Sequence, residues 1–420
     1  LYDLVFESPD KSANLKLSVR SFEIGIMGSQ TTNYGKLSLI TDSDTIELGE
    51  FDCVGADVSW SNSGNYAVLT GGGNNDRVSP AASLIDIPNK KILELPSLGI
   101  YNRILADEPE LKSFLSFSVK GCDWSSDNPT IGFELEVGAA FYPQVIHGEY
   151  TLDAKTNELT NITYDPLPAK ASAPGLTDEE IKKIVDENLD VLLTDSDGYY
   201  SEKEFISAHP DAFDNIVSLG STALPYLKEI GSGYSFVGED TSGNNRCFMA
   251  RAAAYVIAPD IYDRAFPSPN GKYSIEAAVN SFFGLTDPFQ GIKYNLNMRK
   301  SETNEVLAIA DKPYQLYSDL FADANIQWSP DGKYASLQDT YRNMYSYIHV
   351  FDTENSAFYS LPKEHEIEAA IGKKLEYTDE NGILLNNLHC LIEKWEGTNV
   401  TVRIVLSDSA GDGEAVGWYL

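Results

Sequence analysis

The chain has 420 residues, enough for two or three domains with sizeable cores at roughly 100 to 200 residues each. Hydrophobic residues make up 42% and charged residues 22%, which excludes a disordered tail, and no apolar run reaches the roughly 18 residues of a membrane span. The 63 acidic and 31 basic side chains leave a net charge of −32, a field that repels phosphate backbones and argues against nucleic acid as a partner. The chain opens on Leu1 and not on an initiator Met, so a removed signal sequence, or a lipid anchor upstream of Leu1, is the expectation. Cys53, Cys122, Cys247 and Cys390 are scattered and form no Cys-x-x-Cys pair; they read as reduced, buried or half-buried thiols. With a pI near 4.4 and 24 tyrosines, the composition fits a secreted or cell-surface bacterial protein.

Read from the N-terminus, the chain repeats itself. Phe6-Glu-Ser8-Pro9-Asp10 returns as Phe266-Pro-Ser268-Pro269-Asn270, and Trp60-Ser-Asn-Ser-Gly64-Asn-Tyr66 returns as Trp328-Ser-Pro330-Asp331-Gly332-Lys-Tyr334. A fainter match pairs the segment at Trp124 with that at Trp395. The offsets are 260, 268 and 271 residues, a small drift that predicts a duplicated β unit. In the Trp328 segment Pro330 presets φ, Asp331 tolerates the bridge conformation and Gly332 completes a strand-reversing turn. Trp328 is expected to be largely buried beside it.

Between the copies, Pro166 to Gly175 has linker composition, and Thr177-Asp-Glu-Glu180 is a capping box that predicts a helix start. Ile181, Ile184, Val185, Leu189 and Leu192 then recur at helical spacing, as do apolar residues near 213–217, 224–230 and 248–256. The expected organisation is a first β unit over 1–165, a linker over 166–175, a helical module over 176–262 and a second β unit over 263–420.

The Trp-Ser-Pro-Asp-Gly-Lys segment resembles the repeat of TolB-type β-propellers. Motif spacings of 52 to 67 residues exceed the roughly 40 to 50 of a usual blade. Six such motifs in two halves imply, by this resemblance, a six-bladed propeller-like body, mainly β with an all-α insertion, while the long spacings leave the alternative of two β-sandwich-like domains. Phe205 to Leu227, with His209, Phe213, Ile216, Leu219, Gly220, Leu224 and Pro225, is similar to a small helical module of Firmicutes surface lipoproteins and BlaR-type sensor tails. Where other members enter the last helix with a Gly-Leu-Arg-Gly-like segment, this chain has Gly243-Asn-Asn-Arg246.

Candidate chemistry is sparse. Asp195, Asp197 and Glu204 fit positions 3, 5 and 12 of a calcium loop with Gly198 at 6, but position 1 is Leu193, which has no ligand oxygen. The segment reads as a solvated loop, and no metal or cofactor is expected. The sequence has no Gly-x-Ser-x-Gly elbow, no His-Glu-x-x-His pair and no Gly-rich phosphate loop. Its five histidines are His147, His209, His349, His365 and His389, and the motif residues read as architecture. The function that fits is extracellular binding or sensing of an unknown protein or small-molecule ligand. The alternatives are a hydrolase acting on cell-surface polymer and a structural scaffold for protein partners.

Overall fold

The computed structural model describes the chain except for residues 1, 25–29, 42, 53–55, 71–81, 110, 112, 126, 168–174, 195–200, 234–240, 283–291, 311–312, 316–325, 342–344, 361–376, 379–383, 386 and 408–420. Two compact units result, residues 1–138 with 143–168, and residues 139–142 with 169–420.

The first unit is built from three four-stranded antiparallel meanders, each joining strands that are consecutive in the chain. The first contains β1 (Tyr2–Glu7), β2 (Ala13–Ile24), β3 (Gln30–Thr41) and β4 (Thr45–Asp52). Next come β5 (Asp57–Trp60), β6 (Tyr66–Thr70), β7 (Ala82–Asp86) and β8 (Lys91–Glu94), followed by helix α1 (Ser97–Asp107). The third is β9 (Phe114–Ser125), β10 (Asn128–Ala139), β11 (Tyr142–Asp153) and β12 (Glu158–Tyr164). Period-two patterning explains the packing: Ala13, Leu15, Leu17 and Val19 of β2 are buried while Asn14, Lys16 and Ser18 between them are half-buried. The apolar face meets Ala67, Leu69 and Ile85 of the second meander in one cluster.

The second unit begins with helices α2 (Asp178–Leu192), α3 (Glu202–Ala208), α4 (Pro210–Ser218), α5 (Leu224–Ser232) and α6 (Thr241–Ile257). The capping box at the start of α2 is formed: Thr177 N–H donates to Glu180 Oε2 at 2.8 Å and Glu180 N–H to Thr177 Oγ1 at 3.3 Å. Ile181, Val185, Leu189 and Leu192 are buried as their spacing requires. Arg246, at the departure from the usual helix entry, bridges from α6 to Asp186 at 2.6 Å and to Asp190, one turn apart on α2.

Two further meanders follow. The first contains β13 (Arg264–Pro267), β14 (Tyr273–Ser281), β15 (Lys293–Lys300) and β16 (Val306–Ile309), with β17 (Tyr314–Gln315) also on β15; the second contains β18 (Ile326–Trp328), β19 (Tyr334–Tyr341), β20 (Tyr345–Asp352) and β21 (Ala357–Ser360). The remaining strands form two hairpins, β22 (Tyr377–Thr378) with β23 (Leu384–Leu385), and β24 (Asn387–Glu396) with β25 (Asn399–Ser407). The latter joins β20 in parallel at Ser346 and His389. Helices and sheets of this unit share one apolar cluster, from Phe213 and Tyr255 to Leu296, Leu337 and Phe351.

The architecture is mainly β with an all-α segment, and its β elements are blade-like. A Greek-key sandwich would exchange strands between sheets, whereas here the meander strands pair with their chain neighbours, as in a propeller blade, and β17 on β15 and the parallel joint of β24 to β20 are the departures.

One turn recurs at Ser8, Ser61, Ser268 and Ser329, all 5% exposed or less. In each, the serine N–H donates to the carbonyl five residues on and its Oγ accepts that residue's N–H, at 2.8–2.9 Å and 3.0–3.1 Å. The serine hydroxyl then meets the side chain two residues on: Asp10 and Asp331 at 2.7 Å, Asn270 at 2.9 Å and Ser63 at 3.2 Å. The position after that has positive φ in all four, as Lys11, Gly64, Gly271 and Gly332, a conformation only glycine takes without strain. Gly332 has a second constraint, since a Cβ there would lie 2.5 Å from Asn270 Nδ2, which donates to Asp331 O at 2.7 Å.

These turns carry a pH dependence. The Ser8 and Ser329 hydroxyls, followed by the backbone N–H groups of Ser12 and Lys333, hold the Asp10 and Asp331 carboxyls below the usual carboxylate range. A folded pKa below the unfolded one gives stability that is fully present above the unfolded value, about pH 4, and is lost as pH falls through the folded value. Asn270 fills the same position without titrating. Asp10→Asn with Asp331→Asn is therefore expected to flatten the fall in denaturation midpoint between pH 5 and pH 3; an unchanged slope would remove these carboxyls from the acid response.

Candidate functional site

The motif residues are occupied in holding sheets together. Trp328 is half-buried, not largely buried as expected, because β18 is an edge strand. Its Nε1 donates to Phe266 O at 2.9 Å. Trp124 and Trp395 repeat one bond: Trp124 Nε1 donates to Ser59 Oγ at 2.9 Å and Trp395 Nε1 to Ser336 Oγ at 3.1 Å. Ser59 lies on β5 opposite Val68, whereas Ser336 lies on β19 opposite Gln327. The indole has kept a serine partner although the serine stands on the other strand of the pair. Tyr334 stacks on Trp395 with ring centroids 6.2 Å apart, and Tyr66 is buried. Pro269 and Pro330 occupy the first corner of their turns, and both are exposed, beside buried Ser268 and Ser329.

The other candidates do not converge. Glu204 lies in the first turn of α3, where its N–H donates to Ser201 Oγ at 3.4 Å and its Oε2 accepts from that hydroxyl at 3.1 Å. Asp195 and Asp197 lie outside the described residues, as do Cys53 and His365. Among the described residues no group of three or more His, Cys, Asp or Glu side chains is placed to hold a metal ion. His147 faces Glu134 at 3.6 Å, His209 meets Thr194 O at 3.3 Å, and buried His349 stacks on Phe358. Cys122 is half-buried and Cys247 buried, both free thiols; burial pushes the Cys122 thiol up to about 11, which makes it a poor nucleophile at neutral pH.

Two buried polar features were not legible as sites. Glu202, 1% exposed, is the first residue of α3, and its carboxylate accepts from Ser281 Oγ at 2.9 Å and from Phe282 N–H. It ties the helices to the end of β14.

The second feature is a polar row on β15. Tyr294, Leu296 and Met298 enter the apolar cluster, so Asn295, Asn297 and Arg299 share the opposite face. They are 1%, 1% and 4% exposed. Opposite Asn297 stand Glu276 on β14 and Ile309 on β16. Arg299 Nε lies 3.0 Å from Glu276 Oε2 and its Nη1 donates to Asn304 Oδ1 at 3.0 Å, the pairing that a buried guanidinium requires. Asn280, also buried, stands at the β-bulge between Val279 and Ser281. Neither Nδ2 nor Oδ1 of Asn297 has a hydrogen-bond partner among the described residues, and neither has Nδ2 of Asn280.

No family model matches the chain, and no curated protein matches it. Among solved structures it is similar to the β-propeller domain of the Trilobed protease from Pyrococcus furiosus, at 6% identity over 100% of this chain and 86% of that one, with a TM-score of 0.23. It is similar to TolB from Acinetobacter baumannii at 11% identity over 86% of this chain and 55% of that one, TM-score 0.18. An oligogalacturonate lyase in complex with manganese gives 9% identity over 98% and 97%, TM-score 0.19. The chain thus spans about half the length of the TolB it matches. Superpositions this loose carry no argument, and the propeller-like character stands on the order of strands within the sheets.

Proposed function

We propose that the protein is a non-enzymatic binding or sensing module working outside a Gram-positive cell, as the ectodomain of an anchored lipoprotein. The acidic composition, the TolB-like turns and the likeness of the helices to Firmicutes surface proteins support this reading. One observation carries it. The recurrent serines, aspartates and tryptophans are engaged in turns and sheet contacts, while a buried asparagine amide with no partner among the described residues sits in a row of polar side chains on one sheet face. The row contains no activated nucleophile, and the motif residues are committed to architecture, which favours binding over catalysis.

A thermal-shift screen against chemically diverse small molecules and peptides, run beside hydrolysis assays on cell-wall polymers, tests the proposal. Saturable stabilisation by some ligand without turnover is the expected result. Release of reducing ends or free amines in proportion to protein concentration would replace it with the hydrolase alternative.

A further inference from the structure

We propose that the outer edge of β1 is a docking site for a basic peptide in extended conformation, which joins the first meander as an added strand. This rests on the binding reading above and gives it a partner.

Edge strands expose unpaired backbone, and proteins guard them by keeping them short, bulged, charged or interrupted by proline. In the first unit β5 and β8 have four residues each, and the ladders of β4, β9 and β12 are broken by bulges. The exception is β1. Its six residues pair with β2 without a shift, from Tyr2 opposite Val19 to Glu7 opposite Asn14, and they include neither proline nor lysine. Val5 and Tyr2 are 59% and 49% exposed.

The ladder fixes which backbone groups face outward. Ser8 N–H donates to Ala13 O at 2.9 Å, and bonded and non-bonded pairs alternate along an antiparallel ladder. Phe6, Leu4 and Tyr2 therefore bond to β2, while the N–H and C=O of Asp3, Val5 and Glu7 point away from the sheet. No backbone hydrogen bond to these outward groups is found among the described residues. The second copy differs at this edge. There β13 has four residues and carries Pro267 at the position of Glu7, and proline has no N–H to offer an added strand. Ser268 N–H donates to Tyr273 O at 2.8 Å, so Pro267 also stands at an outward position. One copy of the duplicated unit has a guarded edge and the other an open one.

Charge selects the occupant. Asp3, Val5 and Glu7 are all exposed and share one face of β1. Directly opposite residues of paired strands point to the same face, where opposite charges stabilise and like charges destabilise. A partner strand reading basic-x-apolar-x-basic sets its cations against Asp3 and Glu7 and its apolar residue against Val5, and the net −32 of the chain draws it in. Lys16 already lies 2.8 Å from Asp3, so the attraction rests more on Glu7. A second copy fits poorly: β1 paired antiparallel with itself over its full length puts Asp3 opposite Glu7 at both ends.

The test is calorimetric binding and amide hydrogen exchange of the full chain with the capped peptide Thr-Lys-Thr-Val-Thr-Lys-Thr. One control peptide has glutamates in place of the lysines, and another has N-methylvaline in place of the valine. The basic peptide is expected to bind and to slow exchange at the amides of Asp3, Val5 and Glu7, while neither control binds. Glu7→Pro gives β1 the residue of the second copy and leaves its bonds to β2 in place, and it should weaken binding by about tenfold or more. If that variant does not fold, Val5→Lys, at an exposed position, should give the same loss. Equal affinity for the N-methylated peptide, or protection at other amides, would overturn strand addition at β1. Tighter binding of the glutamate peptide would overturn the basic partner. A concentration-dependent dimer in sedimentation, with the same amides protected in the absence of peptide, would make a second copy the occupant. Failure of all three peptides would overturn the edge, and the binding reading would then stand or fall on the ligand screen above.

Discussion

Replacing Glu202 by alanine is expected to destabilise the protein by about 3 kcal/mol, the cost of removing a buried acceptor and stranding its donors. The carboxylate accepts the Ser281 hydroxyl and the Phe282 N–H, and no other acceptor for that N–H is found among the described residues. Its position in the first turn of α3 adds a favourable interaction with the helix N-terminus. The loss would spread, because the Phe282 ring packs on Phe141, Tyr255 and Tyr262 with centroids 4.9 to 6.1 Å apart. Glu202→Gln keeps the shape and one acceptor and should cost about half as much. Chemical denaturation of the three proteins is the measurement; equal stability of wild type and Glu202→Ala would show that the helices hold to β14 without this group.

The second large effect is expected at the turn serines. Ser329→Ala leaves the Tyr334 N–H without its side-chain acceptor at a position 0% exposed and removes the donor to Asp331, a loss of about 2 kcal/mol. Ser268→Ala should cost a similar amount, since its bonds are the same. The two turns touch through Asn270 Nδ2 and Asp331 O, so the double variant is expected to depart from additivity by about 0.5 kcal/mol or more. Strict additivity would mean that the turns are independent and that the bond between them contributes nothing. Stability unchanged by either single substitution would return the weight of the motif to its proline and glycine.

The linear pattern determined a good deal. Four matching turn segments announced strand reversals because a buried serine, an acceptor two residues on and a positive-φ position act within six residues, and local geometry of that kind needs no partner from elsewhere. The capping box at Thr177 and Glu180 and the spacing of Ile181, Val185, Leu189 and Leu192 announced α2 for the same reason. Helix α1 went unread although Ile100, Tyr101, Ile104 and Leu105 lie at helical spacing, because no polar cap marks its start; Pro96 stands there without a side-chain bond.

Tertiary structure decided the rest. Tyr294-Asn-Leu-Asn-Met-Arg299 alternates as a half-exposed strand should, and that alternation fixes which side chains share a face. Whether the polar face meets water or protein depends on what packs against the sheet, and in the folded chain Asn295, Asn297 and Arg299 are all buried. Glu202 likewise reads as an ordinary charge at a helix start until β14 brings Ser281 and Phe282 to it across some 80 residues of sequence. The serine partners of Trp124 and Trp395, on opposite strands of their ladders, show the same limit. A hydrogen bond selects an atom in space, and residues far apart or out of alignment in the sequence supply that atom equally well.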